Sequence, residues 1–260
     1  MDIYNKSNKK FIEEKYNENQ VEGRNSILEV LKNGRDIEKI FIQKGNIEGT
    51  IKKIIAIAKE KGIIIQEISK QKIDSISQTK NHQGVIAIVS AYNYSDIDDI
   101  LKNAKQKQEL PFIIILDGIT DPHNFGAIIR TAEVSGAHGI IIPKRRSVGL
   151  TATVAKTSVG ALEYIPIVKV TNIAKTIEYL KNKNIWTICA DISGMDYFEQ
   201  DMKTGIAIVI GNEGNGVSNI VKKNCDFIVS IPMYGKISSL NASVSAGLFM
   251  YEVVRQRNYT

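Results

Sequence analysis

Residues 112–118 read FIIILDG, five apolar side chains in succession closed by Asp and Gly. A strand exposed on one face alternates apolar and polar residues. An unbroken run of this kind belongs to a strand covered on both faces. Shorter versions recur at 138–142, 165–170, 185–190 (IWTICA), 206–211 (IAIVIG) and 227–232 (FIVSIP). Between them the spacing predicts helices from about 124 to Gly136, then over 151–158, 172–183, 216–223 and 241–256. Buried strands alternating with helices specify an α/β fold with a parallel sheet, whose ligands bind beyond the carboxyl ends of the strands.

The chain ahead of this rhythm differs. Residues 1–20 are polar, Asn- and Lys-rich and aperiodic, the pattern of a flexible tail. Ile27, Leu28 and Leu31 form a helical stripe ending at Gly34; IEKIFIQ (37–43), 63–68 and 84–90 read as strands around a helix at 47–61. These make a compact α/β unit over 21–93. Residues 94–110 are charged, and Ser95 with Asp98 could cap a short helix; an interdomain linker is expected there, with the second domain over 111–260.

Composition narrows the function classes. No apolar run approaches the roughly 20 residues of a membrane helix, and the N-terminus lacks a signal-peptide core, so a cytoplasmic protein is expected. Cys189 and Cys225 lie in apolar segments without metal-ligand spacing, so they read as buried thiols and no metal site is expected. Residues 1–93 hold 16 Lys/Arg against 12 Asp/Glu, and the whole chain carries +6. That excess permits a polyanionic partner without requiring one.

The polar residues collect after the strands: ITDPHNFGAIIRTA after 118, NEGNGVS after 211, and MYGKISSLNASVSAG after 232. Three loops at three strand ends point to one site. GNEGNG (211–216) spaces its glycines as G-x-x-G-x-G and lies late in the domain, which disfavours the dinucleotide fingerprint and leaves a dinucleotide-dependent oxidoreductase a distant third reading. A tight turn is the plainer reading; a loop whose backbone meets a ligand, with Glu213 facing inward, is the sharper one. Asn124 could cap the helix that follows Pro122, and Arg130 could be a surface ion-pair residue or a phosphate fork. Ser238, Ser239 and Asn241 exceed what a cap for the last helix requires. His82 and His138 read as structural. His123 lies in the first site loop, yet no Ser–His–Asp arrangement is available.

Together the blocks DPHNFGAIIRTA, IVIGNEGNGVS and IPMYGKISSLNASVSAG resemble, in order and spacing, the three signature motifs of the SpoU (TrmH-type) RNA 2′-O-ribose methyltransferases of the SPOUT superfamily. VEGRNSILEVLK (21–32) and NHQGVIA (81–87) are similar to the L30e-like substrate-binding domain of the longer members, and the nearest likeness is to the RlmB-type enzymes acting on a guanosine of 23S ribosomal RNA. The resemblance implies a deep trefoil knot in the C-terminal domain, a homodimer formed through it, and S-adenosyl-L-methionine as cofactor. It assigns Asn124, Arg130, Glu213, Ser239 and Asn241 to catalysis. Gly211, Ile231 and Leu240, with Ala190 and Met233 beside them, are assigned to the cofactor. Arg24, Lys144, Arg145 and Arg146 are expected to meet RNA. Val244, Leu248 and Tyr251 on one side of the final helix, and Ala246, Met250 and Val253 on another, fit a helix buried on both sides.

A sulfonium-bound methyl group is already activated, so the protein's task is to hold a 2′-oxygen in line and dispose of its proton. Arg130 is expected to grip the neighbouring phosphate; arginine stays protonated and is a poor base. The proton then passes to that phosphate or leaves late. A transfer-RNA substrate, a ribosomal adenosine, and a non-catalytic RNA-binding or ribosome-assembly role on the same scaffold stay open at this point.

Overall fold

The computed structural model describes residues 19–33 and 35–259, so most of the expected 1–20 tail lies outside the described residues. Its last residue, Gln20, is not tail: it pairs with Ile88 and opens a strand. Two compact units emerge, one ending at Asn93 and taking in Gly149–Thr153, the other covering Tyr94–Val148 and Val154 onward.

The first unit runs β1 (Gln20–Glu22), α1 (Arg24–Lys32), β2 (Ile37–Gln43), α2 (Thr50–Glu60), β3 (Ile64–Ile68), α3 (Lys70–Ile76) and β4 (Val85–Val89). Its sheet has the order β1-β4-β2-β3, with β2 and β3 parallel and the other pairs antiparallel. Two-residue alternation sorts the side chains. Ile40 and Ile42 join Ile27 and Leu31 of α1 and Ile51, Ile54 and Ala58 of α2. Phe41 faces the other way, with Ile86 and Ile88, onto Ile73 and Ile76 of α3.

The second unit contains α4 (Ile97–Gln106), β5 (Phe112–Asp117), α5 (Pro122–Val134), β6 (Gly139–Pro143), α6 (Ala152–Thr157, its start in the first unit) and β7 (Ile167–Val170). It continues with α7 (Ile173–Lys181), β8 (Trp186–Asp196), β9 (Ile206–Gly211), α8 (Asn219–Asn224), β10 (Phe227–Ser230) and α9 (Ala242–Tyr259). All six strands are parallel, in the order β10-β8-β9-β5-β6-β7. The apolar run of β5 is buried throughout, as a strand covered on both faces must be.

Three expectations change. Residues 94–110 are not a free linker: α4 occupies them, and its Ile100 is buried with Ile113, Ile115 and Ile177. Charge along that segment masked a narrow apolar stripe. The cap is also shifted by one residue, with the Asp96 amide donating to Asp99 Oδ2 at 3.0 Å. Strand β8 continues to Asp196 through the polar DISGMD, because β10 pairs with it across a register shift between Ile228 and Val229. Finally, within the single chain, one side of α9 is covered. Ala246, Met250 and Val253 are fully covered where it packs on α5 and β9, while Val244, Leu248 and Tyr251 stay 50, 39 and 50% exposed. Among the described residues no helix is long and apolar enough to cross a membrane.

Candidate active site

Strands β5 and β9 lie side by side and end together, Asp117 opposite Gly211. The chain leaves them in opposite directions, from β5 to β6 on one side and from β9 past β8 to β10 on the other. A divergence of this kind leaves a crevice at the strands' carboxyl ends, and the polar loops converge there.

From β5 the chain turns into α5. Asp121 Oδ1 accepts from the amides of His123 (2.6 Å) and Asn124 (3.0 Å), and Pro122 fills the first helical position. Asp121, not Asn124, is therefore the cap. The Asn124 side chain is released from that duty and donates from Nδ2 to Glu213 Oε1 at 2.9 Å.

From β9 the chain folds back on itself. The Gly216 amide donates to the Asn212 carbonyl (2.9 Å), and Asn212 Oδ1 accepts from the amides of Gly214 (3.0 Å) and Asn215 (2.7 Å). The returning strand crosses so close that a Cβ on Gly211 would lie 2.0 Å from the Gly216 carbonyl carbon. Gly216 itself adopts φ 63°, the left-handed region open to glycine. The glycines shape a tight turn that carries Glu213 into the site.

From β10 the chain reaches α9, whose cap is Asn241: its Oδ1 accepts from the Ser243 amide (2.9 Å) and hydroxyl (2.6 Å) and from the Val244 amide (3.3 Å). Its Nδ2 donates to Asn124 Oδ1 (3.0 Å) and to Glu213 Oε1 (2.6 Å), and that same carboxylate oxygen accepts from the Ala242 amide (3.3 Å). One residue from each loop thus enters a single hydrogen-bonded cluster, Asn124–Glu213–Asn241.

Two clefts flank it. A cleft of about 370 Å³ is lined by Ala190, Gly211, Ile231, Met233 and Leu240, the complete set assigned to the cofactor. Ile192, Ile210 and Phe249 add apolar surface, and Ser239 and Glu213 also face it. Apolar walls with a few polar groups, at this size, suit a small organic ligand. A second cleft, of about 460 Å³, is lined by Asp117, Gly118, Thr120, Asp121, Asn124 and Arg146 and shares Asn212–Gly216 and Ala242 with the first.

Other expected residues lie apart. Arg130 is exposed on α5 and lines neither cleft. Ser239 makes no hydrogen bond to the cluster among the described residues. Lys144 and Arg145 also line neither cleft, and only Arg146 of that basic triplet does. Arg24 belongs to the first unit, where its amide and Nε donate to Gln83 Oε1 (3.1 Å) and the Gln83 carbonyl (3.0 Å). Beside it the Glu22 carboxylate accepts from the Ser77 hydroxyl (2.8 Å), the Gln78 amide (2.6 Å) and Thr79. Burial would raise the Glu22 pKa, but these donors outweigh it and hold the carboxyl below its ordinary range. The VEGR and NHQG blocks are thereby tied together.

Sequence reading missed three carboxylates. Asp117 Oδ2 accepts from the Ser218 amide (2.8 Å), and Asp121 is the cap just described. Asp191, at the mouth of the first cleft, holds Lys222 (2.7 Å) and Ser193 (2.7 Å). Burial alone would push the Asp191 carboxyl up; Lys222 and Ser193 together bring it below its usual value. The available signal was position, since each comes shortly after a buried apolar run.

Residues 111–251 match the sequence profile of the SpoU rRNA Methylase family, and residues 20–95 match that for RNA 2′-O ribose methyltransferase substrate binding. The chain belongs to the SpoU (TrmH-type) family of RNA methyltransferases. This SpoU-family chain is 49% identical over 237 residues to YacO of Bacillus subtilis (strain 168), assigned to the TrmH family of tRNA/rRNA methyltransferases, covering 91% of this chain and 95% of that one. The SpoU methyltransferase AviRb of Streptomyces viridochromogenes, crystallised with the cofactor AdoMet, aligns with a TM-score of 0.58 and 26% identity over 92% of this chain and 90% of that one. The A. aeolicus TrmH/SpoU tRNA modifying enzyme aligns with a TM-score of 0.53 and 27% identity, covering 61% of this SpoU-family chain and 84% of its own.

Proposed function

We propose that this SpoU-family protein transfers the methyl group of S-adenosyl-L-methionine to a ribose 2′-hydroxyl of RNA in the cytoplasm, with a guanosine of 23S ribosomal RNA as the leading substrate. The observation that carries the reading is the Asn124–Glu213–Asn241 cluster, which joins all three signature motifs at the partition between two clefts. The first cleft suits the cofactor: Ile231, Leu240 and Ile192 offer apolar faces for an adenine ring, and the backbone around Gly211 offers polar edges. Bound there, the cofactor supplies a sulfonium-activated methyl group.

The protein's own groups then position the acceptor. Asn124 and Asn241 are locked by mutual hydrogen bonds, so they present fixed polar edges to a ribose at the partition. Glu213 anchors both amides. Ser239, on the cofactor side, orients the incoming nucleotide. Arg130 binds the phosphate next to the target ribose through its planar fork. Because it stands outside both clefts of its own chain, it serves a second copy. The half-exposed Val244, Leu248 and Tyr251 stripe on α9 supports a homodimer in which Arg130 of one protomer reaches the clefts of its partner. The first unit, with Arg24 and the Glu22-tied loop, together with Lys144, Arg145 and Arg146, holds the RNA body. Family membership also supports threading of the second unit into a trefoil knot.

The test is transfer of labelled methyl groups to unmodified 23S ribosomal RNA and to unmodified transfer RNA, with products mapped for 2′-O-methylation. Modification of one guanosine in 23S RNA supports the whole reading. Modification of transfer RNA alone keeps the chemistry and changes the substrate. Cofactor binding with no transfer to either RNA overturns it.

A further inference from the structure

We propose that the second cleft receives the base of the target nucleotide and that its chemistry selects guanine; this inference rests on the functional reading above. The cleft shares the Asn212–Gly216 loop and Ala242 with the cofactor cleft, and Asn124 and Glu213 stand on its wall. A ribose held at the partition, with its 2′-oxygen toward the methyl donor, must put its base somewhere. The open volume on the opposite side of the partition is this cleft. Chemistry on an RNA nucleotide held between two clefts requires the base to be splayed from its stack into a pocket.

The lining decides which base. Asp117 spends Oδ2 on the Ser218 amide, and Asp121 spends Oδ1 on the amides of His123 and Asn124. The second oxygen of each carboxylate has no protein partner among the described residues. Both are acceptors awaiting a donor. Against Asp117, Asp121 and Glu213 the cleft sets one cation, Arg146. Three carboxylates disfavour a phosphate. Guanine presents N1–H and the N2 amine, two adjacent donors, on one edge, and O6 with N7, the acceptor pair that an arginine fork matches, on another. Adenine would set its N1 lone pair against a carboxylate and offers Arg146 no paired acceptors. Uracil has a single ring donor between two carbonyls. Cytosine places an acceptor beside its amine. Guanine is the base whose edges match both carboxylates and Arg146. The Arg146 loop is fixed from behind, with Ser147 Oγ donating to the Pro143 carbonyl (2.6 Å) and the Val148 amide to the Ile119 carbonyl (2.9 Å).

The experiment uses the full chain and a ligated 23S transcript in which the mapped target nucleotide is guanosine, inosine, 7-deazaguanosine or adenosine, assayed with wild type and Arg146→Met. Inosine, lacking the N2 amine, and 7-deazaguanosine, lacking N7, should each reduce kcat/KM roughly tenfold with wild type, and adenosine by a hundredfold or more. In Arg146→Met the 7-deazaguanosine penalty should vanish while the inosine penalty persists, an interaction that a merely structural arginine would not give. Equal rates on guanosine and adenosine, a target mapped to another base, or an undiminished 7-deazaguanosine penalty in Arg146→Met overturns the base cleft while leaving 2′-O-methylation intact. Absence of transfer to every RNA overturns the functional reading, and the base cleft with it.

Discussion

Gly211→Ala adds one methyl group, and its effect can be worked out from the turn that follows β9. The new Cβ would lie 2.0 Å from the Gly216 carbonyl carbon, 2.2 Å from the Val217 nitrogen and 2.3 Å from the Gly216 oxygen. All three are backbone atoms, so no side-chain rotation relieves the clash. Ordinary contact begins near 3.4 Å, and the returning strand must therefore retreat by about 1.4 Å, an overpacking that costs about 2 kcal/mol. For a unit of this size the apparent Tm should fall by roughly 4–8 °C. The larger consequence is local. The displaced segment carries Glu213 away from Asn124 and Asn241, at present 2.9 and 2.6 Å distant. A misplacement of about 1 Å costs on the order of a hundredfold in rate. Thermal melting, titration of the cofactor by calorimetry and single-turnover methyl transfer would be measured on the same preparation. A variant that melts a few degrees early, binds cofactor weakly and transfers at about one per cent of the wild-type rate is expected. Wild-type melting and wild-type turnover would refute the reasoning, because the close approach would then not constrain the loop.

Asn241→Asp separates two roles of one residue. The carboxylate still caps α9, so the melt should move little, but it faces Glu213 with a second negative charge and turnover should collapse; Asn241→Ala loses about 1 kcal/mol of capping as well. Equal turnover for wild type and Asn241→Asp would contradict the cluster's role. Arg130→Ala should lower turnover about a hundredfold with RNA binding intact, measured by filter binding beside the methyl assay, and near-normal turnover would remove Arg130 from the site. Replacing Lys144 and Arg145 together should reduce the log–log salt dependence of RNA binding by about two; an unchanged slope would take them off the RNA path. His138 is fully buried, with Nδ1 accepting from the Phe112 amide (3.0 Å) and Nε2 donating to Glu109 (3.0 Å). Burial, opposed by Glu109, holds its pKa below the ordinary 6.5. The unfolded chain takes up the proton first, so this stability is present above about pH 6.5 and is lost as pH falls toward the folded value, at up to about 1.4 kcal/mol per pH unit. Urea unfolding at pH 7, 6 and 5 should show the loss in wild type and a flatter profile in His138→Gln, and identical profiles would contradict it.

The strands of the second unit were legible because burial on both faces leaves an unmistakable apolar run, as in FIIIL and IAIVI. Strand β8 beyond Ala190 was not, since DISGMD is held by pairing with β10 rather than by its own burial. A short helix was legible at α4, but its docking was hidden by its charges, because only Ile100 and Ala104 need be buried to hold it. At the site, residue types in three motifs identified Asn124, Glu213 and Asn241. Their hydrogen bonds span 89, 117 and 28 residues of sequence, and no local pattern encodes such partners. Asp121 was overlooked because an Asp before Pro–His–Asn competes with Asn124 for the cap, and only geometry shows which carries it. Arg130 fails to join its own chain's cluster for a rotational reason. Six residues along a helix of 3.6 residues per turn point a side chain to a different face.

The strand order also sets a timetable for synthesis. Strand β5 is central, yet one of its two neighbours, β9, begins at Ile206, almost ninety residues after Asp117. At about 5–20 residues per second, a ribosome needs roughly 4–18 seconds to deliver that neighbour. For that interval this buried apolar strand has an open edge on the nascent polypeptide, the condition under which strands pair with the wrong partner. The sheet of the first unit, whose last strand ends at Val89, can form meanwhile. The second must be shielded until its late strand emerges, so its yield in the cell should depend on translation rate and on chaperones that cover a waiting edge.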